Sequence, residues 1–307
     1  MKRVFIIAVA AALAAAAWGV WTPKFEWGGP GSGPGSFNRP GNVAVAANTH
    51  VYVTDQNNHR VQYFTAAGSF LGEWGTYGSG EGQFNNPSGI AVTPKGRVYV
   101  TDEGGNRVQY FTLRGNFLGK WKDQFNAPCG IDFNARGDVY VVEWGNHRVQ
   151  YFTKDGSYLG KWGGPGSGEG EFNNPIDVNV SPNGYVYVCD HGNNRVQYFT
   201  KAGSIAGSFP VQGFPTGAAI AANGDVYVAM FDHCCVRIYN ASGESIGSFG
   251  GPGSGLGKFD APLGVAFSPT GARCYVTEYN GDCVECWNRN EPAVAPSSLG
   301  RVKALFR

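Results

Sequence analysis

The stretch VYVTDQNNHRVQYF, Val51 to Phe64, decides the fold because the chain repeats it. It returns as VYVTDEGGNRVQYF at 98–111, as VYVVEWGNHRVQYF at 139–152 and as VYVCDHGNNRVQYF at 186–199. Degenerate copies follow at VYVAMFD (226–232) and CYVTEYN (274–280). Aligned on the acid that ends the first half of the phrase, the copies fall at Asp55, Asp102, Glu143, Asp190, Met230 and Glu278, in steps of 47, 41, 47, 40 and 48 residues. Self-similarity at this period indicates a propeller or a solenoid.

Four short strands are legible within a unit. In the second they are SGIAVT (88–93), RVYVTD (97–102), RVQYFT (107–112) and NFLGKW (116–121), separated by turn residues. Alternation with no sustained 3.6-residue period predicts strands and almost no helix. Four antiparallel strands per unit make a blade, so the chain is read as an all-β, six-bladed β-propeller. The uneven steps come from Gly-rich inserts before units 1, 2, 4 and 6, such as GGPGSGPGSF (28–37) and GGPGSGLGKF (250–259). Units 3 and 5 are entered by the shorter KDQF (122–125) and PVQGF (210–214). Insertions that come and go between repeats belong in surface loops on one face.

The ends of the chain test closure. Unit 6 lacks a fourth strand of its own, whereas KFEWGGPGSG (24–33) matches GKWGGPGSG (160–168) with Trp27 in register with Trp162. The N-terminal segment, about residues 24–29, is therefore expected to supply the outer strand of the last blade, closing the ring and covering an edge.

Each regular unit places an acid and an arginine on either side of a tight turn: Asp55 and Arg60, Asp102 and Arg107, Glu143 and Arg148, Asp190 and Arg195. Asn and Gly between them tolerate the turn conformation, and the two charges form a clasp across it. The phrases P-x-G-I-A-V, VYV-x-D and N-x-R-V-Q-Y-F resemble the NHL repeat over essentially residues 24–289. That resemblance implies a six-bladed propeller. For function it implies mostly binding scaffolds, with some RNA binders, sensor domains and an enzymatic branch, the peptidyl-amidating lyase. Streptogramin-lyase-like and gluconolactonase-like propellers are more distant cousins. The zinc histidines of the lyase branch map onto Gly41, Ser88, Cys129, Ile176, Thr216 and Leu263, none of them His. No metal or other cofactor is expected. With a formal net charge of +1 and the clasp arginines already paired, nucleic acid is not an expected partner.

Departures from the internal consensus point to the site. The residue after the clasp acid runs Gln56, Glu103, Trp144, His191, Phe231, Tyr279, which offers an arc of four rings on the loop-rich rim. Such rings anchor peptides, proteins or sugars. Asp132, and Asp177 with Asn179, replace small residues on inner strands, where they face a central channel. Blades 5 and 6 lose the clasp: Cys235 and Cys283 stand for Arg, and Glu278 is left without its expected partner. Five of the seven cysteines follow residue 230. A hairpin register pairing Val53 with Val61 would place Cys274 opposite Cys286, as a candidate disulfide. DHCC (232–235) and CVEC (283–286) are poor zinc ligands, because positions i and i+3 of a strand face opposite ways.

MKR followed by VFIIAVAAALAAAA reads as a secretory signal peptide over residues 1–19, with an uncleaved anchor as the alternative and the only route to a membrane. The propeller occupies 20–289, and a tail, 290–307, has no counterpart in the repeat. The expected protein is a secreted or periplasmic monomeric propeller that binds a protein, peptide or glycan on its loop-rich face without chemistry. The competing expectation is a propeller lyase or hydrolase using His191 or His233 as base near Asp177 or Glu278.

Overall fold

A computed structural model of the protein describes residues 20–121 and 125–290. The signal-peptide reading of 1–19, the insert residues 122–124 and the tail beyond Asn290 lie outside the described residues. The described chain forms six four-stranded antiparallel sheets arranged as the blades of a ring. Among the described residues, helix is confined to one 3₁₀ turn at His191–Asn193.

The inner strands are Pro40–Val45, Pro87–Val92, Pro128–Phe133, Pro175–Val180, Pro215–Ile220 and Pro262–Phe267. Proline opens each one, at the strand end where its missing N–H costs no ladder bond. Small residues follow because neighbouring inner strands converge. A Cβ on Gly89 would run into the Cys129 carbonyl, and one on Gly217 into the Leu263 carbonyl.

The second strands, such as Val51–Asp55, are buried along their whole length. Alternation explains this: Val51 and Val53 pack toward blade 6 with Tyr275 and Val284, and Tyr52 packs toward blade 2 with Ile90 and Phe111. Both faces of each blade are core, so both sets of alternating side chains are apolar.

The ring closes through the N-terminal strand. Val20–Gly28 pairs antiparallel with Cys283–Asn290 and becomes the outer strand of blade 6. It starts four residues earlier than the sequence indicated, and that extension carries Trp21 into the core between blades 5 and 6. Trp21 donates to the Tyr227 hydroxyl at 3.3 Å.

The register of the hairpins differs from the expected one by one residue. Val53 opposes Gln62, and Asp55 opposes Arg60. In blade 6 this pairs Cys274 with Trp287, and Tyr275 with Cys286. The candidate Cys274–Cys286 disulfide is thereby corrected. Cys274 lies in the core shared with blade 5 and Cys286 in the core shared with blade 1, so the two thiols sit on opposite faces of one sheet. Every cysteine of the chain is a free thiol in this structure.

Candidate functional site

The clasp is more extensive than an acid and a base. In blade 1 the Arg60 Nε donates to Asp55 at 2.8 Å, and one terminal nitrogen donates to Glu73 at 2.9 Å. The guanidinium also reaches the carbonyls of Ser32, Gly33 and Ser36 in the Gly-rich insert, at 2.8–2.9 Å. Gln62 completes the arrangement: its oxygen accepts from Gly35 N–H, and its amide donates to Ser36 O and Asp55. Arg195 repeats the pattern in blade 4 with Asp190, Ser167, Gly168 and Glu171. Arg148 pairs with Glu143 at 2.6 Å in blade 3. The clasp thus ties hairpin to insert, and it fixes the loops of one face.

Of the inner-strand polar residues, Asp132 and Asp177 stitch neighbouring blades. Asp132 accepts from Val180 N–H at 2.7 Å, and Asp177 from Ala218 N–H at 2.9 Å. In blades 1, 2 and 6 a threonine of the second strand crosses to the next blade: Thr54 to Ser88 O, Thr101 to Cys129 O, Thr277 to Gly41 O. Blades 3 and 4 carry Val142 and Cys189 at that position, and their carboxylates make the cross-blade contact instead. Asn179 donates to Asp177 at 2.8 Å, and Asn42 reaches the same carboxylate from the opposite blade at 3.4 Å. These groups line a central cavity of about 250 Å³.

Burial pushes the Asp132 carboxyl up to about 7 and the Asp177 carboxyl up to about 6. Glu278 and Glu285 are each raised by burial to about 7 as well. Between about pH 4, where carboxyls of the unfolded chain ionise, and about pH 7, the folded protein holds more protons than the unfolded one. These groups therefore favour the folded state increasingly as pH falls through that window. A higher urea midpoint at about pH 5 than at about pH 8 is expected, with much of the difference removed by Asp132→Asn and Glu278→Gln.

The arc of rings divides. His191 stacks on Phe214, with centroids 5.0 Å apart, and its Nδ1 is 3.2 Å from Pro215 O. His191, Phe214, Phe231, Ile176 and Leu263 line a mostly apolar cleft of about 520 Å³ across blades 4–6. Tyr279 adjoins Phe231 at 6.3 Å and receives the Arg39 guanidinium at 5.1 Å from its ring. Trp144 stands outside the cleft, 43% exposed on its own loop. Burial lowers the His191 pKa, against the Pro215 carbonyl and Asp232, which act to raise it. His233 pairs with Asp232 at 3.0 Å on the surface. Neither histidine is hydrogen-bonded to Asp177 or Glu278 among the described residues.

A second pocket, of about 490 Å³, adjoins the cleft and shares Asp260 and Asn280 with it. Its walls include Glu26, Glu278, Gly281, Asp282 and Cys283. Glu278 is 2% exposed and accepts from Asp260 N–H at 2.9 Å and from the Cys283 thiol at 3.1 Å. Burial and the neighbouring Glu278 carboxyl raise the Cys283 thiol far above its ordinary range, so it is a poor nucleophile and metal ligand. Among the described residues, no three His, Cys, Asp or Glu side chains are grouped to hold a metal ion.

Sequence reasoning missed Phe214, Glu26 and Glu285. Phe214 precedes a proline in one of the two units entered without a Gly-rich insert. Glu285 had a signal: it stands where four repeats carry Gln62, Gln109, Gln150 and Gln197.

A sequence model of the NHL repeat matches residues 37–64, 84–111, 172–199 and 213–239, in blades 1, 2, 4 and 5. No curated protein matches the chain. Among solved structures, a streptogramin B lyase superposes with a TM-score of 0.66 at 14% identity, covering 89% of this chain and 99% of its own. The virginiamycin B lyase of Staphylococcus aureus gives 0.64 at 15% identity, covering 88% and 99%. A gluconolactonase from Xanthomonas campestris gives 0.66 at 14%, covering 88% and 98%. At these identities the likeness extends to the fold alone. The chain carries NHL repeats at four positions and folds as a six-bladed β-propeller.

Proposed function

We propose that this propeller is a binding scaffold that takes a peptide segment of a protein partner across blades 4–6 of its loop-rich face. The observation that carries the reading is the apolar cleft lined by His191, Phe214, Phe231, Ile176 and Leu263, which opens beside an acidic pocket. Large exposed rings over a preformed cleft are anchoring features: they bury area on binding with little side-chain ordering. Phe214 is 42% exposed and held in place by its stack on His191. His191 in the cleft meets the Pro215 carbonyl rather than a carboxylate, and Asp232 of the cleft wall pairs with His233, which does not line it. The same proposal takes residues 1–19 as a signal peptide and so the scaffold as an extracytoplasmic one.

The test is selection of peptides from a random display library on the intact chain. Selected peptides are expected to bind at least about tenfold more weakly to Phe214→Ala, with the unfolding midpoint little changed. Binders indifferent to Phe214→Ala and Phe231→Ala would refute the reading. So would specific retention of glycans with no peptide selected, or turnover of the bound molecule.

A further inference from the structure

The acidic pocket is the clasp of blade 6 with its arginine missing. Glu278, Gly281, Cys283 and Glu285 occupy the positions of Asp55, Asn58, Arg60 and Gln62 in blade 1. Asp55 receives side-chain hydrogen bonds from Asn58, Arg60 and Gln62. At Glu278 every one of those donors except a thiol has been removed. The carboxylates that surround Arg60, by contrast, are both kept, as Glu278 for Asp55 and Glu26 for Glu73. Glu26 lies opposite Glu285 on the outer strand, as Glu73 lies opposite Gln62.

The insert keeps its bridge and its closing hydrogen bond, and departs at Gly255, whose φ of 85° has no counterpart at Gly33. Pro252 bridges Phe259 as Pro30 bridges Phe37, and Lys258 N–H donates to Gly255 O as Ser36 N–H donates to Gly33 O. The Gly255 carbonyl, held by Lys258 N–H, and the Lys258 carbonyl correspond in position to those of Gly33 and Ser36, which face Arg60 in blade 1.

An orphaned atom marks the same place independently. Glu285 is fully buried, and its Oε1 accepts from Gly257 N–H at 2.8 Å, as Gln62 accepts from Gly35. That contact leaves Oε2 where the Gln62 amide nitrogen donates to Ser36 O and Asp55, yet Oε2 has no hydrogen-bond partner. The Trp287 indole N–H acts on this carboxyl from nearby, but both atoms stay short of a hydrogen bond. Among the described residues no ion pair reaches Glu278 or Glu285. Arg39 sits close by but lays its guanidinium on the Tyr279 ring. Buried carboxylates beside backbone carbonyls, with only the Cys283 thiol donating where an arginine stands in other blades, match a planar group of many N–H donors and a positive charge.

We propose that the blade-6 cradle binds a guanidinium group delivered from outside, as an arginine side chain of the ligand. This rests on the loop-rich face being a ligand surface and names one anchor of that ligand. Shared walls at Asp260 and Asn280 let one peptide fill the cleft with an apolar side chain and the cradle with arginine. Metal is disfavoured by the absence of a grouped ligand set among the described residues.

The experiment titrates N-acetyl-arginine amide into the intact chain by NMR at low salt, with N-acetyl-lysine amide as control. Saturable shifts of Glu26–Pro30 and Asn280–Cys283 are expected for arginine, with lysine at least about tenfold weaker because it lacks the planar fork. Cys283→Arg fills the cradle from within, as four other blades do, and is expected to abolish binding while raising the urea midpoint. Glu278→Gln removes the charge with little change of shape and is expected to weaken binding at least about tenfold, an arm that does not depend on Cys283→Arg folding. No saturable binding, equal binding of lysine amide, or binding untouched by both variants would overturn the proposal. If the arginine probe fails while display peptides still depend on Phe214, the cradle proposal falls and the scaffold reading stands. If the probe binds as described and no peptide is selected, the scaffold reading falls instead.

Discussion

Removal of Val20–Gly28 is expected to abolish the monomeric fold. This strand is the whole outer edge of blade 6, paired along Cys283–Asn290. Without it the last blade has three strands and exposes an unpaired edge. The loss of core is larger still. Trp21 is 7% exposed, packed on Tyr227 at 5.8 Å and on Phe249 at 5.7 Å. Trp27 packs on Phe64 at 5.7 Å and on Tyr275 at 5.9 Å, across the seam between blades 6 and 1. Truncating one such ring to alanine costs about 3–5 kcal/mol, and the stability of a whole domain is only about 5–15 kcal/mol. Two rings and a strand lost together exhaust that margin. Size-exclusion chromatography and urea unfolding check it: the truncated chain should aggregate or show no cooperative transition, while Trp27→Ala alone should still fold with a lower midpoint. A truncated monomer with an unchanged midpoint would contradict this account of closure.

The fold was legible because repetition samples the same solution six times. The phrase Val51–Phe64 and its copies gave the period, and the mismatch between the two ends gave closure. Register was harder to read. Both faces of a blade are apolar, so alternation does not penalise a slip of one residue, and that single residue separated Cys274 from Cys286. The site was legible only where a repeat departs from its own rule. Cys283 and Glu278 announced a broken clasp, and Glu285 completed it once the Gln62 contacts were seen. Phe214 carried no such signal, because its role comes from stacking on His191 of the neighbouring blade, a contact set by the angle between blades. Asp132 and Asp177 stood out correctly as odd residues for a reason sequence does not display. Each replaces a threonine stitch lost on a different strand.

Arg107→Ala is expected to destabilise the protein by about 3–5 kcal/mol, since it leaves a buried carboxylate without its counter-charge. Asp102 is fully buried and Arg107 is 6% exposed, joined at 2.7 Å. The same guanidinium holds the insert of blade 2 through the carbonyls of Ser79 and Gln83. Lysine at 107 should recover only part of the loss, because one ammonium does not reproduce a fork that serves a carboxylate and several carbonyls together. Blade 5 supplies the control. There Met230, fully buried, replaces the acid and Cys235 replaces the arginine, so that no charge is stranded. Asp102→Met combined with Arg107→Cys should therefore cost less than Arg107→Ala alone, although the insert carbonyls of blade 2, which blade 5 lacks, keep the cost above zero. Urea midpoints of the three variants decide it. If the double variant is the least stable, the clasp acts through its contacts rather than through the charge it neutralises, and the reading of Glu278 as a carboxylate awaiting a cation loses its physical basis.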